Sequence, residues 1–469
     1  IAIVGKPNVG KSSIINMLAS AVGSLTNPQK IYDTFRSNGE KELSLNTVNS
    51  YIRNIEDSFI VNKSNRYDIK GKQYLTSGEK YYATDVTMRY ALLGRKNMVK
   101  KVFITDCEGP LTLNDNAYEL AAEFIEDGDR LFKIISRFDD YLVDDLKKEN
   151  YHAGDTLKLI VPFFKLAGLT NDKMIDFSRE NIFIVNGSKA TLALANELMD
   201  AFIVSTSYGQ YIEALSNFME FPFENTYHTQ LDLDKNTNYN DGESSPSISK
   251  ASVGAKSPKF IAELEKIEEF RKIILQHGEA KKEDFDVLYD IFFNEIPKLE
   301  INTYIENVKT VGGKGKQIAV EDIVERLSLE EGSIFYIGDS ITDVEPLSYA
   351  RENGGISVSF NGNEYPLKVA EIAVVSENTI PTSILIDLHS RYDRDYILDF
   401  VKVYSEKGPD DAFKDFEVDY SLIEEFEKEF YNKPAPIIEI ITEENYDYLL
   451  KLSKEMRNNI RGTDIGGLG

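Results

Sequence analysis

Two carboxylates stand two residues apart directly after a short apolar stretch, in Val-Phe-Ile-Thr-Asp106-Cys-Glu108-Gly. A carboxylate attacks a phosphate monoester poorly because both are negatively charged, and a cation held between them removes that repulsion. A second carboxylate nearby can protonate the leaving group and then activate water. The pair therefore points to phosphoryl transfer, with Asp106 as the nucleophile and Glu108 as the acid and base.

Further polar residues that could serve the same reaction follow in chain order. Ser205 follows the apolar Phe-Ile-Val, where its hydroxyl could bind phosphoryl oxygens. Lys314, in Gly-Gly-Lys-Gly-Lys, could offset the negative charge, and Lys316 is its alternative. Asp339 and Asp343 lie in Gly-Asp-Ser-Ile-Thr-Asp after another apolar stretch. Because Mg²⁺ prefers oxygen ligands, we expect it as the cofactor. The predicted magnesium ligands are Asp106 and Asp339, and Asp343 could hold a metal-bound water or orient Lys314.

Apolar segments that alternate with helical segments predict an α/β fold with a doubly wound, parallel sheet over residues 98–408. Ligands of such sheets bind beyond the carboxyl ends of the strands, which is where the polar residues fall. The predicted strands are Val102–Thr105, Ala201–Val204, Ile334–Ile337, Ile356–Phe360 and Ile372–Val375.

Three segments lie outside this core pattern. Residues 111–200 are mostly helical and predict a cap that excludes water from the site and sets specificity. A second insertion, about 233–305, contains a polar stretch at 236–258 that predicts a mobile loop. Residues 409–469 form an acidic C-terminal extension.

The order Asp-x-Glu-Gly, hydrophobic-Ser, Lys and Gly-Asp-x-x-x-Asp resembles that of the haloacid dehalogenase superfamily. The stretches from Lys314 to Asp343 and from Gly355 to Gly362 look like those of its phosphoserine-phosphatase branch. The resemblance implies a Mg²⁺-dependent phosphatase that hydrolyses a small phosphorylated metabolite through an aspartyl-phosphate. It assigns Asp106, Glu108, Ser205 and Lys314 to catalysis, with Glu108 also giving its carbonyl to the metal. The chain departs from the family at Glu108, since the usual residue there is Asp.

Residues 101–469 also resemble an archaeal family, energy-converting hydrogenase A subunit R. The matching stretches are Ile-Thr-Asp106-Cys-Glu-Gly-Pro and Arg461-Gly-Thr-Asp-Ile-Gly-Gly-Leu-Gly. This resemblance implies a cytoplasmic protein and hydrogenase subunits as partners. It leaves open an alternative function, that of a non-catalytic accessory protein of a membrane hydrogenase.

Residues 1–20 read as a strand, a glycine loop and a helix, and fit the phosphate-binding pattern G-x-x-x-x-G-K-[ST]. The backbone from Gly5 to Gly10 would cradle phosphates, Lys11 would contact them and Ser12 would ligate Mg²⁺. The sequence of this segment resembles that of small bacterial-type GTPases. A strand, loop and helix alone cannot bury a core, so we expect no nucleotide hydrolysis from this truncated segment.

Residues 21–97 predict a winged-helix-like segment: helices at Asn27–Asn38 and Ser44–Glu56, then a hairpin of Ser58–Tyr67 and Glu79–Thr84. This segment resembles the winged-helix region of archaeal AAA-type ATPases. The first 100 residues carry 15 Lys and Arg against 8 Asp and Glu, whereas the remainder carries 38 against 70. Nucleic acid is therefore an expected partner only of residues 21–97. A nucleotide- or DNA-binding regulator built on residues 1–95 is the remaining alternative.

The composition excludes other classes of protein. Cys107 is the only cysteine, so no internal disulfide can form. No apolar stretch approaches the length of a membrane span, and we expect no membrane insertion. The first residues lack a basic region that leads into an apolar run, so we expect no signal peptide.

Overall fold

The computed structural model describes residues 25–26, 28–37, 44–57, 61–64, 67–68, 73–74, 79–83, 99–234, 258–277, 281 and 284–466. The chain divides into two compact units, Ile1–Met98 and Val99–Gly469. The predicted phosphate-binding residues Gly5, Gly10, Lys11 and Ser12 lie outside the described residues. The same holds for the predicted loop at 236–258, apart from its last residue, which begins a helix.

The first unit contains two helices and short antiparallel strands. Its elements are β1 Leu25–Thr26, α1 Pro28–Ser37, α2 Leu45–Asp57, β2 Val61–Ser64, β3 Tyr67–Asp68, β4 Gln73–Tyr74 and β5 Glu79–Ala83. Strand β5 pairs with β1 and with β2, and β3 pairs with β4. The predicted order of two helices and a hairpin is therefore present, whereas the winged-helix assignment stays a prediction.

Helix α2 begins where its cap was predicted. The Ser44 hydroxyl accepts a hydrogen bond from the Thr47 backbone N–H at 3.1 Å, which satisfies one of the unpaired donors of the first turn. Val48, Ile52 and Ile55 follow at helical spacing and are all buried, so α2 has one apolar face.

The second unit is built on a seven-stranded sheet in the order β12-β11-β10-β9-β6-β7-β8. Its strands are β6 Val102–Thr105, β7 Asp200–Tyr208, β8 Thr226–Thr229, β9 Ile334–Gly338, β10 Ile356–Phe360, β11 Ile372–Val375 and β12 Ile437–Ile440. All neighbours are parallel except β12, which runs antiparallel to β11. The predicted α/β class with a mostly parallel sheet is confirmed.

The helices of the second unit either cover the two faces of this sheet or belong to a separate helical cluster. They are α3 Asn116–Phe124, α4 Gly128–Asp140, α5 Thr156–Leu159, α6 Val161–Leu166, α7 Asn171–Glu180, α8 Ser188–Leu198, α9 Gly209–Met219, α10 Pro258–Gln276, α11 Phe285–Tyr289, α12 Asn302–Glu306, α13 Lys314–Leu327, α14 Val344–Glu352, α15 Glu364–Val369, α16 Ile380–Arg391, α17 Arg394–Lys407, α18 Pro409–Asp415, α19 Tyr420–Glu429 and α20 Tyr446–Gly466. Helices α8, α9 and α16 to α19 pack in the core on one face, and α13 and α14 pack on the other. Every residue of β6, β9, β10 and β11 is buried, as expected for parallel strands covered on both sides.

Helices of the two predicted insertions pack together, apart from α8, which packs on the sheet, and their role as a cap stays a prediction. Apolar residues of α3 to α7 share a single buried cluster with those of α10, α11 and the segment that follows. Phe138 of α4 lies 5.6 Å from Phe285 of α11 and 5.9 Å from Phe292, measured between ring centroids. The second insertion, whose role the sequence did not reveal, therefore contributes about a third of this buried cluster.

The segment 409–469, predicted to be an extension, is built into the sheet domain. It contributes helices α18 and α19, the edge strand β12 and the long helix α20, whose helical backbone is broken at Gly462 (φ 76°). None of the helices in the described ranges is long and apolar enough to cross a bilayer.

Candidate functional site

The acidic residues predicted to act together do meet at the carboxyl edge of the sheet. Asp106 follows β6 and Asp339 follows the neighbouring parallel strand β9. The Asp106 backbone N–H donates to the Ile337 carbonyl at 2.9 Å, which extends the pairing of the two strands to their ends. Asp343 joins them, and one carboxylate oxygen of each residue lies within 4.8 Å of the others. All three side chains are buried.

A buried lysine bridges two of these carboxylates. The Lys316 ammonium lies 2.8 Å from Asp106 Oδ2 and 2.8 Å from Asp343 Oδ1. Burial alone would lower the pKa of Lys316, but the charges of Asp106 and Asp343 outweigh it and raise that pKa above its ordinary value. Lys316 is therefore a fixed positive charge beside Asp106.

This geometry corrects the assignment of the lysine from Lys314 to Lys316. Lys314 is the first residue of α13 and is exposed, whereas Lys316 is fully buried. Successive residues of an α-helix differ by about 100°, so residues two apart point to nearly opposite sides. Only one of the two lysines can therefore face the site, and it is Lys316.

Asp343 holds this arrangement in place. Its Oδ1 accepts a hydrogen bond from the Tyr336 hydroxyl at 2.8 Å as well as from Lys316. Its Oδ2 accepts from the backbone N–H groups of Asp339 at 3.1 Å and Ser340 at 3.2 Å. With both oxygens engaged, Asp343 fixes the lysine and the turn that carries Asp339.

Opposing influences act on the pKa of Asp106. Burial raises the pKa of Asp106 well above its usual range, and the charge of Asp343 raises it further, whereas Lys316 opposes both. The Asp106 Oδ1 accepts a hydrogen bond from the Cys107 backbone N–H at 2.7 Å, while Oδ2 contacts the lysine. These contacts fix the orientation of the carboxylate.

Glu108 lies on the loop after β6. Its Oε1 accepts a hydrogen bond from the Asn116 backbone N–H at 2.8 Å, at the start of the cap. Burial raises the pKa of Glu108 well above its usual range, and the charge of Asp115 adds to this effect. The Glu108 side chain is not part of the carboxylate group that could hold a metal.

A glycine allows the two acidic loops to approach each other. Gly109 has a φ of +104°, and a Cβ placed there would lie 2.1 Å from Asp339 Oδ2. No other residue fits that space, so the Asp-x-Glu-Gly pattern requires its glycine for close packing.

Cys107 is buried, and its pKa is raised by burial first and then by the charge of Glu108, which suppresses the thiolate.

Ser205 was predicted to follow the end of a strand. It lies inside β7 instead, because that strand continues to Tyr208. The Ser205 side chain is buried, and its hydroxyl accepts a hydrogen bond from the Ser207 backbone N–H at 3.1 Å. It lines a cavity between the sheet edge and the cap. Other residues that line this cavity are Asp106, Glu108, Ser136, Asp139, Asp140, Thr156, Asp339, Arg457 and Arg461.

Two arginines of the site were not predicted. Arg457 and Arg461 of α20 both donate to Asp339 Oδ2, the latter at 3.1 Å. The sequence offered one indication, since Arg461 begins the second stretch that resembles the hydrogenase subunit family. Nothing in the local pattern of α20 indicates that its arginines reach a strand end more than 100 residues away.

The donor set suits a hard divalent cation. The described part of the chain brings together three carboxylates, those of Asp106, Asp339 and Asp343, without nitrogen or sulfur donors. Mg²⁺ is normally bound by one or two carboxylates together with water and substrate oxygens. Since Asp343 holds the lysine, Asp106 and Asp339 are the side chains best placed to serve as ligands.

Fold and site together define an α/β protein with a carboxylate and lysine centre at the carboxyl edge of its sheet, under a helical cap. Residues 10–99 match a family described as "Domain of unknown function (DUF8612)". An uncharacterized protein of Haemophilus influenzae is 38% identical over 84 residues, which are 18% of this chain and 21% of that protein. The chain thus spans about a fifth of the length of this curated relative.

Similar solved structures include gene product AF1437 from Archaeoglobus fulgidus. It is 26% identical, with a TM-score of 0.58, and the match covers 79% of this chain and 99% of that one. The two proteins therefore share a fold. A substrate-bound phosphoserine phosphatase complex matches at 13% identity over 60% of this chain and 96% of that one. Its TM-score of 0.37 is too low to support a conclusion about function.

Proposed function

We propose that the unit Val99–Gly469 is a Mg²⁺-dependent phosphate-monoester hydrolase of the haloacid dehalogenase type. The observation that carries the proposal is the ammonium of Lys316, 2.8 Å from both Asp106 and Asp343. A buried lysine in this position keeps a nucleophilic carboxylate in one orientation and offsets the charge of an incoming phosphate. The converging carboxylate of Asp339 supplies the second part of a cation site.

In the first step, a carboxylate oxygen of Asp106 attacks phosphorus and the bond from phosphorus to the ester oxygen breaks. The leaving oxygen takes a proton from Glu108. The raised pKa of Glu108, caused by its burial, favours the protonated form that this step requires. Asp106 and Asp339 would hold Mg²⁺, which polarises the phosphoryl group when it is bound.

In the second step, Glu108 is a carboxylate and takes a proton from water. The oxygen of that water attacks phosphorus, the bond to the Asp106 oxygen breaks, and inorganic phosphate and the free carboxylate are restored. Lys316 stays charged throughout, because its pKa lies above the ordinary value. Ser205, on the cavity wall, is the proposed donor to a phosphoryl oxygen.

The proposed substrate is a small phosphorylated metabolite. The cavity lies between the sheet edge and the cap, and the cap lines it with polar side chains such as Ser136, Asp140 and Thr156. A small cavity with several polar side chains favours a compact substrate that carries hydrogen-bonding groups.

The test is the variant Asp106→Asn, assayed with p-nitrophenyl phosphate in Mg²⁺ and again in EDTA. We expect kcat to fall by at least about 1,000-fold while the thermal unfolding midpoint is retained. Asp129→Asn, at an exposed carboxylate on cap helix α4, is the matched control and should behave like the wild type. Full activity in Asp106→Asn, or activity unaffected by EDTA, would contradict the mechanism.

A second candidate is a phosphate-binding accessory protein without turnover. The two arginines on Asp339 favour it, because they neutralise a carboxylate that the cation would need. Calorimetric binding of inorganic phosphate, together with no hydrolysis of a broad panel of phosphate esters in Mg²⁺, would support this candidate over the enzyme. Its partners would then include the hydrogenase subunits that the sequence resemblance implies.

A further inference from the structure

The charges of the acidic cluster are compensated by side chains of the protein itself. Lys316 contacts two of the three carboxylates, and the third, Asp339, is contacted by Arg457 and Arg461. Three carboxylates therefore face three cations, all of them buried. Each of these three carboxylates therefore has a positively charged partner from the protein before any metal ion is added.

The arginines are held in place by the surrounding backbone as well as by Asp339. Arg461 donates through Nη2 to the Asn114 carbonyl at 2.6 Å and through Nε to the Leu113 carbonyl at 3.2 Å. Arg457 donates through Nε to the Gly466 carbonyl at 3.0 Å. These backbone hydrogen bonds fix the positions of both guanidinium groups beside Asp339.

A divalent cation and these guanidinium groups need the same carboxylate. Both arginines donate to Oδ2 of Asp339, and the three carboxylates that could bind a metal lie within 4.8 Å of one another. A cation at that group would stand close to two buried positive charges, where screening by water is weak. Binding of a cation to Asp339 and the contacts of Asp339 with the two arginines therefore weaken each other.

We propose that Arg457 and Arg461 are an internal counter-charge that competes with a divalent cation for Asp339. The proposal rests on the cation site of the proposed function but requires no turnover. Cation binding weakens the contacts of both arginines with Asp339 and loosens the end of α20. Without the cation, the arginines remain paired with Asp339 and hold the end of α20 against the acidic cluster.

The test is direct binding of Mn²⁺ to the metal-free full-length chain, followed by the electron paramagnetic resonance signal of free Mn²⁺. We expect Arg461→Gln and Arg457→Gln each to lower the Kd by about tenfold or more, since each removes a positive charge beside the cation. Arg461→Lys keeps that charge and should bind Mn²⁺ like the wild type. Lys451→Gln removes an exposed charge from the same helix and is the matched control.

Unchanged or weaker Mn²⁺ binding in both glutamine variants would overturn the proposal, as would the absence of binding in every protein. Should the variants fail to fold, hydrogen exchange of the wild type decides the matter. Amides of residues 457–466 should then exchange faster in saturating Mn²⁺, and equal or slower exchange would count against competition. Because neither measurement uses a substrate, an inactive Asp106 would not affect the outcome.

Discussion

At the scale of single side chains, Lys316 and Lys314 differ in position by two residues and in environment completely. One is buried between two carboxylates, and the other is exposed at the start of α13. Neither the residue type nor the glycines beside them distinguishes the two lysines. The choice depends on the direction in which the helix leaves its first residue, which only the folded chain reveals.

The two lysines make a matched pair for mutation. Lys316→Met leaves Asp106 and Asp343 buried without their shared counter-charge, so we expect a loss of about 3–5 kcal/mol in the free energy of unfolding. Hydrolysis should fall by about 100-fold or more, because a charge aimed at the phosphate is lost. Lys314→Met should change stability by less than about 0.5 kcal/mol. Urea unfolding and aryl phosphate assays measure both, and equal effects of the two substitutions would refute this role for Lys316.

Asp139 of the cap gives a pH-dependent prediction. It is buried, accepts hydrogen bonds from the Tyr151 hydroxyl and the Gly154 N–H, and burial raises its pKa to about 7. The folded state therefore binds this proton more tightly than the unfolded state. Its contribution to stability is complete below about pH 4 and is lost as the pH rises toward 7.

The variant Asp139→Asn removes this titration. We expect the stability of the wild type relative to Asp139→Asn to decrease as the pH rises from 4 to 7, by at most about 1.4 kcal/mol for each pH unit. Urea unfolding of both proteins at pH 5 and pH 8 provides the measurement. A difference between the two proteins that is the same at both values would show that Asp139 titrates normally.

At the scale of elements, the cap depends on a segment that stands far from its partners in sequence. Helix α10 carries Ile267 and Phe270 into the same buried cluster as α4 and α6. Arg271 on the same helix donates to the Glu126 carbonyl at 2.5 Å, which ties the second insertion to the first. The segment 258–306 thus supports the helices that line the cavity, without lining it itself.

This packing predicts unequal effects for two isoleucines of α10. Ile267 is fully buried, so Ile267→Ala should cost about 2–5 kcal/mol in stability, because a cavity remains where the side chain was. Ile261, which is 46% exposed, should tolerate the same change at less than about 1 kcal/mol. Thermal and urea unfolding compare the two variants. Similar losses would mean that α10 does not belong to the cap core.

Strands could be predicted from the sequence where they are buried on both faces of the sheet. The five predicted strands stand out because each is an apolar run that is covered on both sheet faces. Strand β8, Thr-Tyr-His-Thr, is half-polar and lies at a sheet edge, and β12 falls in an acidic segment, so neither has that pattern. The acidic residues of the site were predictable as strand ends, whereas Arg457 and Arg461 come from a helix whose approach depends on tertiary packing.

At the scale of the whole molecule, the chain consists of two compact units of different charge. The unit Val99–Gly469 contains the entire sheet, the cap and every residue of the candidate site. A compact unit with its own hydrophobic core can usually fold without its neighbour. We therefore expect the proposed hydrolysis not to require the basic first unit.

We expect a fragment of residues 99–469 to keep the unfolding midpoint of this unit and the kcat/KM of the full chain within about twofold. Calorimetry of both proteins and assays with an aryl phosphate provide the comparison. A fragment of residues 99–441, which lacks α20, is the control and should lose stability because Asp339 loses both arginines. Inactivity of the longer fragment would assign a role in catalysis to residues 1–98.

The arginines on Asp339 also bear on how the molecule reaches its native state. Arg461 and the Leu113 carbonyl that it contacts are 348 positions apart, and Arg457 and Asp339 are 118 apart. Contacts between such distant positions require the closure of long loops and generally form slowly. Until they form, the carboxylates at the strand ends repel one another. We therefore expect α20 to dock late in folding and to supply the two guanidinium charges that Asp339 lacks until then, so that the site would be completed in the last stage of folding.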